Sequence, residues 1–166
     1  MKNNYNKLIV IALAIMTMSF AAKAQEKGDK AVGANLVFTA PPGEFDLLGA
    51  EAKFRYNIVK FFRLESTFSY LFERDYVGRW DLFVNAHVLI PLGDRIRLYP
   101  LSGFGILGYN GEKSSATHLG CNLGGGVDYK ISDKLILNIE YSYKWEAKWN
   151  DAWGDSYLSA GVLYCF

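Results

Sequence analysis

The feature that most constrains this chain is a period of two. Over residues 48–58 one set of alternate positions reads Leu48, Ala50, Ala52, Phe54, Tyr56, Ile58, and the other reads Gly49, Glu51, Lys53, Arg55, Asn57. Successive side chains of a strand point to opposite faces, so this is a strand with one apolar and one polar surface. Residues 62–72, 80–90 and 135–145 repeat the pattern, their apolar positions interleaved with Arg63, Glu65 and Thr67, with Asp81, Asn85 and His87, and with Asn138, Glu140 and Lys144. Weaker copies occupy 31–39, 118–129 and 156–166. The least regular copy is 97–107, which starts at Arg97 and is blurred by Pro100 and several Gly. Pro100 cannot donate to a ladder, so a local bulge or break is expected there.

The connections alternate in length. Segments 57–61, 91–95 and 130–134 are tight turns, the second carrying Pro91-Leu-Gly-Asp94 and the third Ser132-Asp133. Segments 40–47, 73–79, 109–117 and 146–155 are longer. Eight strands with short connections at one end and longer ones at the other describe an up-and-down antiparallel meander. Strands of nine to eleven residues match the roughly 9–11 needed to cross a bilayer when tilted. Closing the meander removes its two edges, which lipid does not tolerate unpaired.

Alternation alone does not say which face looks outward. A soluble lipocalin-like carrier turns the apolar face inward around a ligand, and a membrane barrel turns it toward lipid. Five features favour lipid. The apolar faces of the clearest strands carry no charge. Aromatic residues, 16% of the chain, gather near strand ends (Tyr56, Phe62, Tyr70, Phe72, Trp80, Tyr143, Trp145), where rings suit the two headgroup girdles. The polar face mixes Gly, Ser and Asn with charges of both signs, unlike a solvated exterior dominated by Lys and Glu. Strand length is uniform, and the terminal strand has a characteristic ending described below. The expected fold class is all-β, an eight-stranded antiparallel up-and-down transmembrane β-barrel.

The leader agrees with export. Lys2 and Lys7 precede an unbroken apolar run over 8–16, and Ala22-Lys23-Ala24 supplies small residues at the positions a signal peptidase reads. The run is shorter than the roughly 20 residues of a transmembrane helix. Residues 1–24 are therefore expected to be a signal peptide and 25–166 the barrel domain. Removing the leader takes three Lys, leaving 15 bases against 17 acids. That balance excludes the basic excess of a nucleic-acid binder.

Tyr157-Leu-Ser-Ala-Gly-Val-Leu-Tyr-Cys-Phe166 resembles the terminal strand of bacterial outer-membrane barrels, which close on an aromatic residue with apolar residues at alternate positions before it; here these are Phe166, Tyr164, Val162 and Ala160. Gly124-Gly-Gly-Val-Asp-Tyr-Lys-Ile-Ser-Asp-Lys-Leu, followed by Asn138-Ile-Glu-Tyr-Ser-Tyr, is similar to the late hairpin of the small OmpA/OmpX-type barrels. The resemblance is one of pattern over residues 30–166 and is most specific at these two places. It implies a barrel in the cell outer membrane of a Gram-negative bacterium, with lipid and lipopolysaccharide around it and both termini in the periplasm. It also implies insertion by the outer-membrane assembly machinery, read through the strand ending at Phe166. It implies no single activity, since such barrels serve as structural proteins, adhesion factors, narrow pores or occasionally lipid-modifying enzymes. The separate cell-wall-binding domain of longer members is expected to be missing.

An eight-stranded barrel is only just wide enough for side chains to fill. The inward set includes Glu51, Glu65, Asp81, Asp128 and Glu140 against Lys53, Arg55, Arg63, Arg97 and Lys144. Five acids and five bases in so confined a space are costly unless paired. A register centred on Val59 sets Lys53 opposite Glu65 but also Arg55 opposite Arg63, so Arg55 needs another carboxylate or a two-residue shift. The expectation is a largely closed, salt-bridged lumen; ordinary polar filling and a narrow porin for small solutes are the alternatives. Inward Gly33, Gly49, Gly120, Gly124, Gly126 and Gly161 leave room for the long side chains.

Catalytic chemistry is sparse. His87 faces inward within reach of Glu65, and His118 lies near a loop, but neither is followed by the Ser that lipid A deacylases or acyltransferases need. No His, Cys and Asp cluster has metal-ligand spacing, and Gly124-Gly-Gly opens no helix that would make it a phosphate loop. No cofactor and no enzymatic activity are expected. Cys121 and Cys165 fall on the sixth and eighth strands and opposite faces, so free thiols are expected. Trp145, Trp149 and Trp153 repeat every four residues in the last long connection. They form either an aromatic platform for an extracellular surface or glycan, or, for Trp145 and Trp153, part of the outer girdle.

Overall fold

Each alternating segment forms a strand that pairs antiparallel with its sequence neighbours, because tight turns return the chain before any crossover can be made. The computed structural model describes residues 27–40, 47–74, 77–111, 115–147 and 154–166. The expected signal peptide at 1–24, Trp149, Trp153 and parts of the longer connections lie outside these. The strands are β1 (Lys30–Ala40), β2 (Leu47–Val59), β3 (Phe62–Arg74), β4 (Val77–Val88), β5 (Ile90–Leu92), β6 (Ile96–Gly111), β7 (Ser115–Lys130), β8 (Leu135–Glu146) and β9 (Gly154–Cys165). β1 also pairs with β9, from Ala31↔Cys165 to Ala40↔Ser156, and this closes the barrel.

β4 and β5 make one stave. Both pair with β6, and the register passes unchanged from His87↔Leu101 to Ile90↔Leu98. The barrel therefore has eight staves, as expected. The interruption expected at Pro100 falls elsewhere: β6 keeps an unbroken register with β7, Pro100 facing Gly125. The shared register sets Pro100 opposite Val88, and the stave divides next door at Leu89. A residue without an N–H leaves its gap in the partner strand rather than in its own. In the tight turn before β6, Gly93 holds φ 82°, the left-handed conformation that its Pro-Leu-Gly-Asp sequence provides.

Two other expectations are corrected. Strand lengths are not uniform: apart from β5 they run from 11 to 16 residues, and β6 and β7 take up most of the connection placed at 109–117. Beyond the bilayer both faces meet water, so the apolar–polar alternation fades while the ladder continues. The β2–β3 register is the second. Arg55 pairs with Glu65, Lys53 with Thr67 and Asn57 with Arg63, with an irregularity between Asn57 and Val59. This is the two-residue shift that frees Arg55 from Arg63. A slip of two preserves the face of every side chain, so the inward and outward sets are unaffected.

Those sets are inverted relative to a water-soluble protein. Leu36, Phe54, Phe68, Leu82, Val84, Ile139 and Val162 are exposed, while all ten charged residues assigned to the lumen are buried. Such a continuous apolar exterior suits hydrocarbon and not water. Rings border it at both ends: Tyr56, Tyr129 and Tyr164 near the short turns, and Phe38, Tyr70, Phe72 and Tyr143 near the longer connections. Ten residue steps from Phe62 to Phe72 at about 3.4 Å each, tilted about 40°, span about 26 Å along the barrel axis, the height of an outer-membrane apolar band.

Candidate functional site

The lumen is built around Arg55 and Arg63, which enter from neighbouring strands. Arg55 donates through Nε to Glu65 Oε2, through Nη1 to Asp128 Oδ1 (2.9 Å) and through Nη2 to the Tyr99 hydroxyl (3.1 Å). Arg63 donates through Nη1 to Asp128 Oδ2 (2.7 Å), so one carboxylate from the opposite wall of the barrel bridges both guanidiniums. The Nε and Nη2 groups of Arg63 also meet His87 Nδ1 at 3.2 and 2.9 Å. A guanidinium can only donate, so Nδ1 accepts and the ring proton sits on Nε2, 3.6 Å from Glu65 Oε1.

Tyr99 ties the two guanidiniums together. Its ring stacks on His87 (centroids 4.6 Å apart, 6° between planes) and lies 4.7 Å from the Arg63 guanidinium carbon. Its hydroxyl donates to Glu140 Oε2 (2.8 Å) and accepts from Asn138 Nδ2 (2.6 Å) as well as Arg55. Toward the longer connections, Lys53 Nζ lies among Glu140 (2.8 Å), Glu51 (3.2 Å) and Glu65 (3.6 Å). Next, Lys144 Nζ pairs with Asp81 (2.8 Å), lies 4.1 Å from the Tyr157 ring centroid and reaches Ser69 Oγ at 3.4 Å. Arg97 is buried opposite Asp128 on the β6–β7 ladder.

Apolar groups enclose these ions at both ends. Ala31, Ile136 and Leu163 form a buried cluster toward the short turns, and Val37, Leu71 and Tyr157 form one toward the longer connections. The mouth beyond carries a partly exposed ring: Arg79 pairs with Asp155 (2.8 Å) and stands over Tyr109, whose ring meets His118 edge-on, with Glu146 4.0 Å from His118. His118 thus lies within β7, facing the mouth.

Ligand atoms of Glu65, His87 and Glu140 lie within 4.8 Å of one another. The donor set does not suit a metal ion, because Lys53 already places its ammonium against both carboxylates and Arg63 holds His87 in the tautomer whose Nε2 bears the proton. Trp145 lies on the outer face beside Tyr143 (centroids 6.0 Å apart), opposite Cys121 on β7. It belongs to the girdle. Cys121 and Cys165 are not joined in a disulfide.

Sequence reasoning missed Tyr99 and Asn138 as organisers of the site. Counting by two from Arg97 would have placed Tyr99 inward, but the ambiguity around Pro100 masked that parity. The apolar enclosure was legible only as individual interruptions of the polar face, such as Leu71 and Phe83.

A family profile described as Outer membrane protein beta-barrel domain matches residues 9–166. No curated protein matches the chain closely. Among solved structures, the N-terminal β-barrel domain of Pseudomonas aeruginosa OprF is 15% identical, with 86% of this chain and 100% of that one covered at a TM-score of 0.64. Neisserial surface protein A is 16% identical, covering 83% and 96%, at 0.63. Ail, the attachment invasion locus protein of Yersinia pestis, is 17% identical, covering 84% and 99%, at 0.56; it has also been solved in complex with the heparin analogue sucrose octasulfate. At these identities the likeness is one of fold. The inverted faces, the closed barrel and the match over nearly the whole length exclude the soluble lipocalin-like carrier, and the chain belongs to the outer membrane protein β-barrel family, as a small barrel of the OmpA/OmpX type located in the outer membrane.

Proposed function

We propose that this is a non-catalytic barrel with a structural or surface-interaction role and a largely closed, salt-bridged lumen. The observation that carries this reading is the pairing of buried cations with carboxylates between two apolar layers. Water and ions crossing the barrel would have to separate these pairs and wet both layers. Non-catalysis is supported by His87, whose Nδ1 is committed to Arg63 and whose Nε2 faces the Glu65 carboxylate. Planar-bilayer recording tests the closed lumen: rare, small openings are expected. A large, steady ohmic current would overturn it in favour of the narrow porin.

The short turns and both termini are proposed to face the periplasm, with the strand ending at Phe166 read by the assembly machinery. The longer connections then face outward, toward lipopolysaccharide and an extracellular surface or glycan. Trypsin cleavage of whole cells confined to the longer connections is the expected result. A sulfated ligand such as the one in the Ail complex is not the natural choice here. The four segments 41–46, 75–76, 112–114 and 148–153 carry five acids and two bases. Replacing 148–153, which contains Trp149 and Trp153, and measuring adhesion and glycan binding tests the recognition role; unchanged binding would end it.

A further inference from the structure

We propose that the short-turn end of the barrel is a binding ring for anionic phospholipid headgroups. Six cations lie at this end: Lys27, Lys30, Lys60, Arg95, Lys130 and Lys134. All are exposed except Lys130, which is partly so. Among the described side chains only Asp29, Asp94 and Asp133 accompany them, three carboxylates to six cations, and Asp133 is 2.8 Å from Lys130.

Charge alone would describe any solvated turn. Here each turn also presents an exposed apolar side chain beside its cations: Phe61 follows Lys60, Leu92 precedes Arg95, and Ile131 follows Lys130. Phe166 joins them, its backbone N–H donating to the Lys30 carbonyl at 3.0 Å. The apolar groups continue the hydrocarbon-facing belt past the Tyr56, Tyr129 and Tyr164 girdle. The cations therefore emerge at the depth of the phosphates, where a long Lys or Arg side chain keeps its stem in the acyl boundary and its charge among headgroups.

The described residues of the opposite end lack this arrangement. Its described mouth carries Arg79 and His118 against Glu146 and Asp155, and the four connecting segments are net acidic. The barrel is polarised, its lumen balanced at five charges of each sign and its cationic excess confined to the short-turn ring. Neutral lipid would leave that excess uncompensated next to a low-dielectric slab. A monoanionic glycerophospholipid such as phosphatidylglycerol matches it in both charge and depth. Placing the ring in the periplasmic leaflet rests on the orientation proposed above; the lipid preference itself does not.

The test uses the refolded barrel in nanodiscs with spin-labelled phosphatidylglycerol or phosphatidylcholine, reading the motionally restricted lipid fraction. At low salt the relative association constant is expected to favour phosphatidylglycerol at least about threefold, and to fall toward unity in about 1 M salt, where the Debye length is about 3 Å. Combined Lys60→Gln, Arg95→Gln and Lys134→Gln should abolish the preference at low salt. Heat-modifiable migration verifies that this variant folds, and the salt titration of the unmodified barrel stands if it does not. Equal association of the two lipids, or a preference unchanged by the three substitutions, would overturn the proposal. Reversed trypsin accessibility on whole cells would overturn only the leaflet assignment.

Discussion

Removing Arg55 probes the lumen most directly. In Arg55→Met the stem is largely retained, so little volume is lost, but Glu65 and Asp128 each lose a charged partner and the Tyr99 hydroxyl loses a donor. Breaking a buried ion pair from one side costs about 3–5 kcal/mol, because the remaining charge stays desolvated. Asp128 keeps Arg63 at 2.7 Å and Glu65 keeps Lys53 at 3.6 Å, which places the expected loss near the lower bound, about 3 kcal/mol. With a urea slope of about 2 kcal/mol per molar, the unfolding midpoint in lipid vesicles should fall by about 1.5 M. The double variant Arg55→Met/Glu65→Met removes both members of the closest pair. It should recover at least about 1 kcal/mol relative to the sum of the single losses, since contacting residues couple by 0.5–3 kcal/mol. A single-variant loss below about 1 kcal/mol with additive behaviour of the double would refute the reasoning. The pair would then be screened as at a wet surface, with an effective dielectric far above that of a packed interior.

Two further variants test the faces and the packing. Phe68→Arg places a charge mid-strand on the outer face and should cost about 2–4 kcal/mol in vesicle-based unfolding; a change under about 1 kcal/mol would contradict lipid contact there. Gly126→Ala would set a Cβ 2.5 Å from Tyr99 Cζ, against a ring locked between His87 and Arg63, so a loss of about 1–3 kcal/mol is expected by urea titration. Its cost should shrink when combined with Tyr99→Leu, which vacates the contact.

Tyr99 shows where a sequence reading stops. Its inward direction follows from two-residue steps, but its partners come from β2, β4 and β8, separated by up to 44 residues. Similarly, Lys53 meets Glu65 across the β2–β3 hairpin at 3.6 Å, as its parity suggests, but also Glu51 and, nearest of all, Glu140 from β8. Trp145 illustrates the opposite case: its parity alone put it with Tyr143 on the outer surface, where the structure has it.

The alternation by itself determined that the chain makes strands, how many staves they form and which side chains share a face, because strand geometry permits only two directions for a side chain and lipid forbids open edges. Tertiary structure decided the pairing. Arg55 meets Asp128 at a sequence separation of 73, and Lys144 meets Asp81 at one of 63. Those distances depend on strand stagger around a closed cylinder and on the β2–β3 turn, where the register slips by one residue between Asn57↔Arg63 and Val59↔Phe62. Local periodicity carries no information about that stagger. It is set when all eight staves close at once and bring Lys53, Arg55, Arg63 and Lys144 against carboxylates of distant strands.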